Sequence, residues 1–377
     1  MEYRVDRARG EAISLLGLGT MRLPLTDPAD PAAIDEEKAA AMVDAAYRRG
    51  VNYFDTAYPY HGRRSEAFCG RALARYPRAS YRLATKLPGW LLHTEEDVSR
   101  LFAEQLANCQ TDYFDFYLCH SVVEDNRDAY LRAYPRLDAL RREGKIRRLG
   151  FSFHGDVPLL REVLAAGRWD FVQLQLNYFD WDFQDARTKY ELCAAAGLQV
   201  IVMEPVRGGA LAALSGKAAA PLLAARPQDS LARWAIRWAA GLPGVLCVLS
   251  GMSSMAQVED NLAAMEPFVP LSEAEQAALA KAVAAFRAQK LVPCTGCRYC
   301  MPCPAGVNIP GMLRLYNEYR LHGEQPNRLR GGVAEEPDAT RADRCVACGA
   351  CLAKCPQKLK IPDHMHAIAE IVRSAGQ

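Results

Sequence analysis

Four side chains in the first third of the chain form a sensible proton-transfer set. Asp55 and Tyr60 stand five residues apart in "FDTAYPY", Lys86 closes "YRLATK", and His120 closes "YFDFYLCH". A carbonyl under reduction needs a hydride at carbon and a proton at oxygen. A tyrosine supplies that proton, but its reference pKa of about 10 is high for the task. A neighbouring ammonium favours the phenolate and lowers that value. Lys86 is the candidate cation, Asp55 the carboxylate that orients it, and His120 a hydrogen-bonding group for the substrate oxygen.

A second set lies at the other end. Of 13 cysteines, Cys69, Cys109, Cys119, Cys193 and Cys247 are scattered, as small buried hydrophobes are. The other eight form two runs. The first is Cys294, Cys297, Cys300 and Cys303, followed by Pro304; the second is Cys345, Cys348, Cys351 and Cys355, followed by Pro356. Both continue to an Ile-Pro pair at the same distance, so the tail contains an internal repeat. Clustered thiols in a reducing compartment bind metal more often than they pair as disulfides. Zinc also accepts four cysteines, but its sites usually join two distant two-cysteine knuckles. The second run resembles the bacterial ferredoxin pattern of cysteines spaced by two, two and three residues with a trailing proline; the first is one residue shorter. That resemblance implies two [4Fe–4S] clusters. It further implies that the fourth cysteine of each run serves the other cluster: Cys294, Cys297, Cys300 and Cys355 at one, and Cys345, Cys348, Cys351 and Cys303 at the other.

The elements that must position the first set are strand-like runs alternating with amphipathic stretches. Strands are expected at 13–20, 51–57, 81–86, 113–120, 146–153, 171–177, 199–205 and 244–250. Eight strand–helix units predict a (β/α)8 barrel, with its chemistry at the C-terminal ends of the strands. Polar residues recur there: Asp55, Lys86, His120, Ser152, Gln173 with Asn177, Glu204 and Ser250. An open doubly wound sheet would want a glycine-rich phosphate loop after its first strand, and "GLGTMRLP" fits that poorly. Thr94 with Asp97 predicts a helix start, Gly50 and Gly197 predict helix ends, and Ser272 with Glu275 predicts a capping box. The loop 206–228, rich in Ala and Gly, reads equally as a lid or a plain connection. Trp90 is a candidate pocket wall. These signals divide the 377 residues into a barrel over 1–290 and a small, mainly helical ferredoxin-like domain over 291–377.

Net charge is +2, which points to neither nucleic acid nor an anionic membrane as partner. The opening "MEYRVDRARG" carries no secretory signal pattern, and the expected location is the cytoplasm. Arg314, Arg320, Arg328 and Arg330 between the cysteine runs are either a solvated basic face or a docking face for an acidic electron-carrier protein.

"FDTAYPY", "ATK" and "FYLCH" resemble the aldo/keto reductases over nearly all of residues 10–265. The resemblance implies Tyr60 as general acid/base, Lys86 and Asp55 as its tuning pair, and His120 as substrate orienter, acting with NADP(H) or NAD(H) on a small carbonyl or alcohol. It implies cofactor contacts at Gly19, Thr20 and Met21, at Ser152 and Gln173 around the nicotinamide amide, and at Met203 where the family usually stacks a tyrosine. "SGMSSMAQVEDNL" resembles the adenosine-binding segment, with Ser250, Gly251, Ser253, Ser254, Gln257, Asp260 and Asn261. The family's cations for a 2′-phosphate are replaced there by Ser253, Ser254 and Gln257, so NADH is expected to compete closely with NADPH. With the cysteine tail, the chain resembles an iron–sulfur subgroup of the family. Nicotinamide passes two electrons as hydride and a cubane passes one, so the clusters read either as structural groups or as electron carriers. An electron-transfer protein, or a ferredoxin-linked reductase whose barrel does not use hydride chemistry, is the alternative.

Overall fold

The computed structural model describes residues 1–375. Two strands open the chain: β1 (Tyr3–Val5) pairs antiparallel with β2 (Ala12–Ser14). Among the described residues, eight parallel strands then close a barrel: β3 (Leu16–Gly19), β4 (Tyr53–Asp55), β5 (Arg82–Leu87), β6 (Phe116–Val122), β7 (Leu149–Phe153), β8 (Phe171–Gln175), β9 (Gln199–Met203) and β10 (Val245–Gly251). Strand β10 returns to pair with β3, and a helix follows each strand. Each expected strand run overlaps one barrel strand, and β5, β6 and β10 run one or two residues past their expected ends.

Alternation along the strands decides what faces the axis. Tyr53, Ala84, Phe116, Leu118, Phe171 and Ile201 fill the barrel interior. Their neighbours Phe54, Leu83, Tyr117, Val172 and Val200 point outward to the helices. Two residues on from Tyr53 is Asp55, from Ala84 Lys86, and from Leu118 His120. The apolar filling therefore ends, strand by strand, in the polar residues of one rim.

Helix boundaries follow local chemistry. Asp35 caps Glu36–Arg48 by accepting from Lys38 N. The helix Glu96–Asn108 starts differently from expectation: the Asp97 carboxylate accepts from the backbone N–H of His93 and Thr94, at 2.9 and 2.8 Å, and the Thr94 hydroxyl is not the cap. Ser272 and Glu275 form the expected reciprocal pair ahead of Glu273–Ala288, at 2.7 and 3.3 Å.

The chain divides into two compact units. One comprises Met1–Val206 with Gln228–Gln276; the other comprises Arg207–Pro227 with Ala277–Gln377. The segment after β9 is therefore not a plain loop: it holds a short turn at Arg207–Gly209 and the helix Gly216–Ala225, and belongs with the second unit. In the second unit the helices Ile309–Leu321, Pro326–Glu335 and Ile361–Ser374 surround a core that includes Val307, Met312, Leu313, Met365 and Ile368. Both Ile-Pro pairs open helices, where a proline costs no hydrogen bond. Equivalent turns precede them: Cys303 O accepts from Gly306 N, and Cys355 O from Lys358 N. The sequence repeat is thus a structural one. Among the described residues no helix is long and apolar enough to cross a membrane.

Candidate functional site

Lys86 and Asp55 are buried at the barrel's C-terminal end, 1 % and 3 % exposed. The Lys86 ammonium donates to Asp55 Oδ1 at 2.6 Å and to the Thr56 carbonyl at 2.7 Å. Burial pushes the lysine down from its ordinary value and the carboxyl up, and each charge opposes the other's shift. The same nitrogen lies 5.1 Å from the centroid of the Tyr60 ring. His120 meets Tyr60 edge to face, centroids 6.0 Å apart, and Trp90 leans on His120 at 5.4 Å. Burial, then the Lys86 charge and then His154, hold His120 well below the usual imidazole range, so its ring is neutral near pH 7. The four residues expected to act together do meet at one place, with Trp90 beside them.

Tyr60 sits in a turn that is itself braced. His61 and Arg63 have positive φ (52° and 72°), which residues with side chains adopt only when the surroundings impose it. His61 Nε2 accepts from Leu23 N at 3.2 Å, and its Nδ1 lies 2.9 Å from Pro31 O, which makes Nδ1 the protonated nitrogen. Ser121, near the end of β6, and Glu204, just past β9, are also left-handed, at 53° and 56°.

Sequence reading missed the layer beneath. Glu66, 1 % exposed, accepts from Thr85 Oγ1 and Gln105 Nε2, both at 2.6 Å, and from Asn108 at 3.2 Å. Gln105 also donates to the Lys86 carbonyl at 3.0 Å and accepts from Tyr117 at 2.6 Å. This web fixes the Lys86 backbone. It joins residues on four elements, and no local pattern in the sequence marks it.

The expected cofactor contacts separate into two kinds. Ser152 and Gln173 stand in register on β7 and β8. Gln173 Oε1 is buried with no hydrogen-bond partner among the described residues, and Ser152 Oγ accepts from Ser121 N at 2.7 Å. Met203 ends β9, and Met21 lies in the turn Thr20–Arg22 after Gly19. Others are engaged within the protein. The Thr20 hydroxyl donates to the Asp55 carbonyl at 3.0 Å and contacts Ser65 at 2.7 Å. Asn261 donates to Ser250 at 2.8 Å, Ser254 caps the helix Met255–Ala263, and Ser253 N bonds to Gln257 at 2.7 Å. Asp260 accepts from Arg233 at 2.7 Å and from Ser230. Gly251 lies under the stem of Arg22, whose guanidinium reaches Glu204 at 3.6 Å. Asn177 is spent on a turn, accepting from the N–H groups of Phe179 and Asp180.

In the second unit none of the eight clustered cysteines is joined in a disulfide. Cys300 stands among Cys297, Cys294 and Cys355; burial first, and then those neighbours, push its thiol up to about 12. Cys351 stands among Cys345, Cys303 and Cys348. Cys303, Cys345, Cys348 and Cys351 line one cavity with Ile309 and Ile361, mostly apolar. Among the described residues no three His, Cys, Asp or Glu side chains are drawn together as a single-ion site. Of the basic residues between the runs, Arg314 pairs with Glu318 at 2.6 Å and Arg320 donates to the Tyr316 hydroxyl at 2.8 Å, so part of that charge is used within the unit.

The sequence profile of the aldo/keto reductase family matches residues 15–284. The chain belongs to the aldo/keto reductase family. A profile described as a 4Fe-4S dicluster domain matches residues 293–359, so this aldo/keto reductase carries such a domain at its C-terminus. The chain is 29 % identical to L-galactose dehydrogenase of Arabidopsis thaliana, over 70 % of its own length and 88 % of that protein's. It is 25 % identical to NADH-specific methylglyoxal reductase of Escherichia coli, over 70 % and 92 %. Among solved structures, the holo form of the aldo-keto reductase AKR11C1 from Bacillus halodurans superposes with a TM-score of 0.62 at 26 % identity, covering 75 % of this chain and 96 % of that one. An aldo/keto reductase from Klebsiella pneumoniae in complex with NADP and acetate shares the fold at a TM-score of 0.60 and 23 % identity, covering 74 % and 94 %. These relatives match the barrel portion. The protein is an oxidoreductase of this family with an appended dicluster domain.

Proposed function

We propose that the barrel catalyses nicotinamide-dependent interconversion of a small carbonyl and its alcohol, with Tyr60 as general acid/base. The observation that carries this is the buried Lys86–Asp55 pair lying beside the Tyr60 ring at a rim that His120 also enters. The residues fit a nicotinamide: the unpartnered Gln173 Oε1 is an acceptor suited to a carboxamide N–H, and Ser152 stands beside it in register. When bound, the reduced cofactor supplies the hydride. The chain's own work is the proton. In reduction, the Tyr60 hydroxyl gives its proton to the oxygen that gains charge, and the Lys86 cation favours the phenolate left behind. Neutral His120 donates a hydrogen bond to the same oxygen, while Trp90 walls the pocket.

For the dinucleotide, the names of the relatives bear on both forms: one is NADH-specific, and another was solved with NADP. Ser253 and Gln257 bond to each other and bring no cation, which supports close competition between the two. In the tail the two sets of four thiols fit two [4Fe–4S] clusters. The apolar cavity around Cys303, Cys345, Cys348 and Cys351 suits a multi-iron body with a thiolate at each corner, and Cys294, Cys297, Cys300 and Cys355 form the matching set. When bound, such clusters carry single electrons. An acidic electron carrier is the partner they would serve, and a small carbonyl or alcohol is the barrel's substrate.

One experiment tests the reading. Anaerobic, cluster-loaded protein is titrated with NADPH and NADH while nicotinamide fluorescence and cluster absorbance are followed, for wild type and Tyr60→Phe. Both should bind nicotinamide, and the variant should lose carbonyl reduction by roughly a hundredfold or more. Near-normal turnover in the variant would remove Tyr60 from the mechanism. Failure of both dinucleotides to bind, with the clusters intact, would favour the alternative whose barrel does not use hydride chemistry.

A further inference from the structure

The turn after β9 performs no step in the chemistry above, yet it is one of the most constrained in the second unit. Gly208 has φ of 65°, and a Cβ placed on it would lie 1.9 Å from the carbonyl oxygen of Thr295 and 2.6 Å from its carbonyl carbon. Atoms cannot approach so closely, so only glycine fits against that peptide. Thr295 lies between Cys294 and Cys297. Its neighbour in the turn, Arg207, is 2 % exposed, is also left-handed at 52°, and donates from Nη2 to the Pro293 carbonyl at 3.1 Å. Asn317 also makes two bonds to Val292, accepting at 2.8 Å and donating at 2.9 Å. The peptides that open the first cysteine run are therefore held by both the turn and Asn317.

Such a grip exceeds what a surface connection needs. A buried guanidinium and a left-handed arginine cost stability, and with Gly208 they converge on one short stretch of ligand-bearing backbone. We infer that Arg207 and Gly208 are positioning residues for the cluster held by Cys294, Cys297, Cys300 and Cys355. Gly208 fixes the Thr295 peptide that links the first two thiolates that would hold this cluster. Arg207 places a buried positive charge one residue from Cys294. Reduction adds negative charge to a cluster, and a nearby cation stabilises the reduced form, so Arg207 raises that cluster's midpoint potential relative to its twin. The inference rests on the reading of these cysteines as cluster ligands.

The test uses the full chain, purified without oxygen, as Gly208→Ala, Arg207→Gln and Arg207→Lys beside wild type. Iron and sulfide content, low-temperature EPR and redox titration are measured, with nicotinamide binding as a check on the barrel. Wild type should hold about eight irons. Gly208→Ala should lose or broaden one EPR signal and fall toward about four irons, with nicotinamide binding unchanged. Arg207→Gln should move one midpoint to a more negative value and leave the other in place, and Arg207→Lys should restore it. If Gly208→Ala does not fold, the Arg207→Gln titration decides alone. Unchanged iron, EPR and midpoints in Gly208→Ala and Arg207→Gln would overturn the inference, and so would equal shifts in both clusters. Wild type without iron would instead refute the cluster reading on which it stands.

Discussion

Lys86 shows how burial makes a common side chain specific. Its ammonium has exchanged water for one carboxylate oxygen, one carbonyl and the neighbourhood of a phenol ring. Removing the cation in Lys86→Met takes away what favours the phenolate, so the alkaline limb of the kcat/KM profile should move to higher pH, with activity down on the order of a hundredfold. An alkaline limb that stays in place would mean that Lys86 does not tune Tyr60. His120 belongs to the same argument. A charged imidazole would repel Lys86, and burial already opposes it, so His120 is held neutral, in keeping with its proposed role as hydrogen-bond donor and not second acid.

Two further elements depend on specific residue pairings. The β1–β2 hairpin meets Arg148 at the N-terminal end of β7, where the guanidinium is fully buried and lies over the Phe116 ring at 4.7 Å. Arg148 pairs with Asp6 at 2.6 Å and Glu11 at 3.0 Å. Asp6→Ala leaves a buried cation short of a partner and should cost about 3–5 kcal/mol. Urea unfolding should show it as a lower midpoint, and an unchanged midpoint would mean the pair is dispensable. The other element is the doubled cysteine run. Cys303 stands with Cys345, Cys348 and Cys351, so Cys303→Ala should chiefly damage the cluster of residues 345–351 and loosen the tail. Iron counting and EPR on single variants check this. Selective loss of the cluster at residues 294–300 would mean each run closes on its own iron.

At the scale of the whole molecule, several titrating groups are held neutral by burial. His61, His120, His154 and His364 all lie below their ordinary value, His154 at about 4, with burial the first cause in each. The unfolded chain takes up protons on these rings near pH 6.5 and the folded protein does not. Stability therefore falls as pH drops below that value, and the loss continues until the folded-state values are reached. The melting temperature should decrease by several degrees between pH 7 and pH 5. A melting temperature flat across that range would contradict the neutral assignment of these histidines.

Much of this was legible along the chain. Apolar strand-like runs between amphipathic stretches located the eight barrel strands, and the alternating side-chain direction along a strand carried Asp55, Lys86 and His120 to a common rim. Spacing revealed the two cysteine runs, because ligands of one cluster crowd a short loop. Thr94 was misread because hydroxyl and carboxylate caps share one pattern, and only the backbone geometry distinguishes them. The β1–β2 hairpin and its pairing with Arg148 left no local trace, nor did the Glu66 web. The same holds for the close approach of Gly208 to Thr295, whereas the meeting of Cys303 with the second run was expected only through the ferredoxin resemblance. Each joins residues that are not neighbours along the chain. Local spacing records what one segment prefers; which distant segments share a surface is decided by packing, and so only in the tertiary structure.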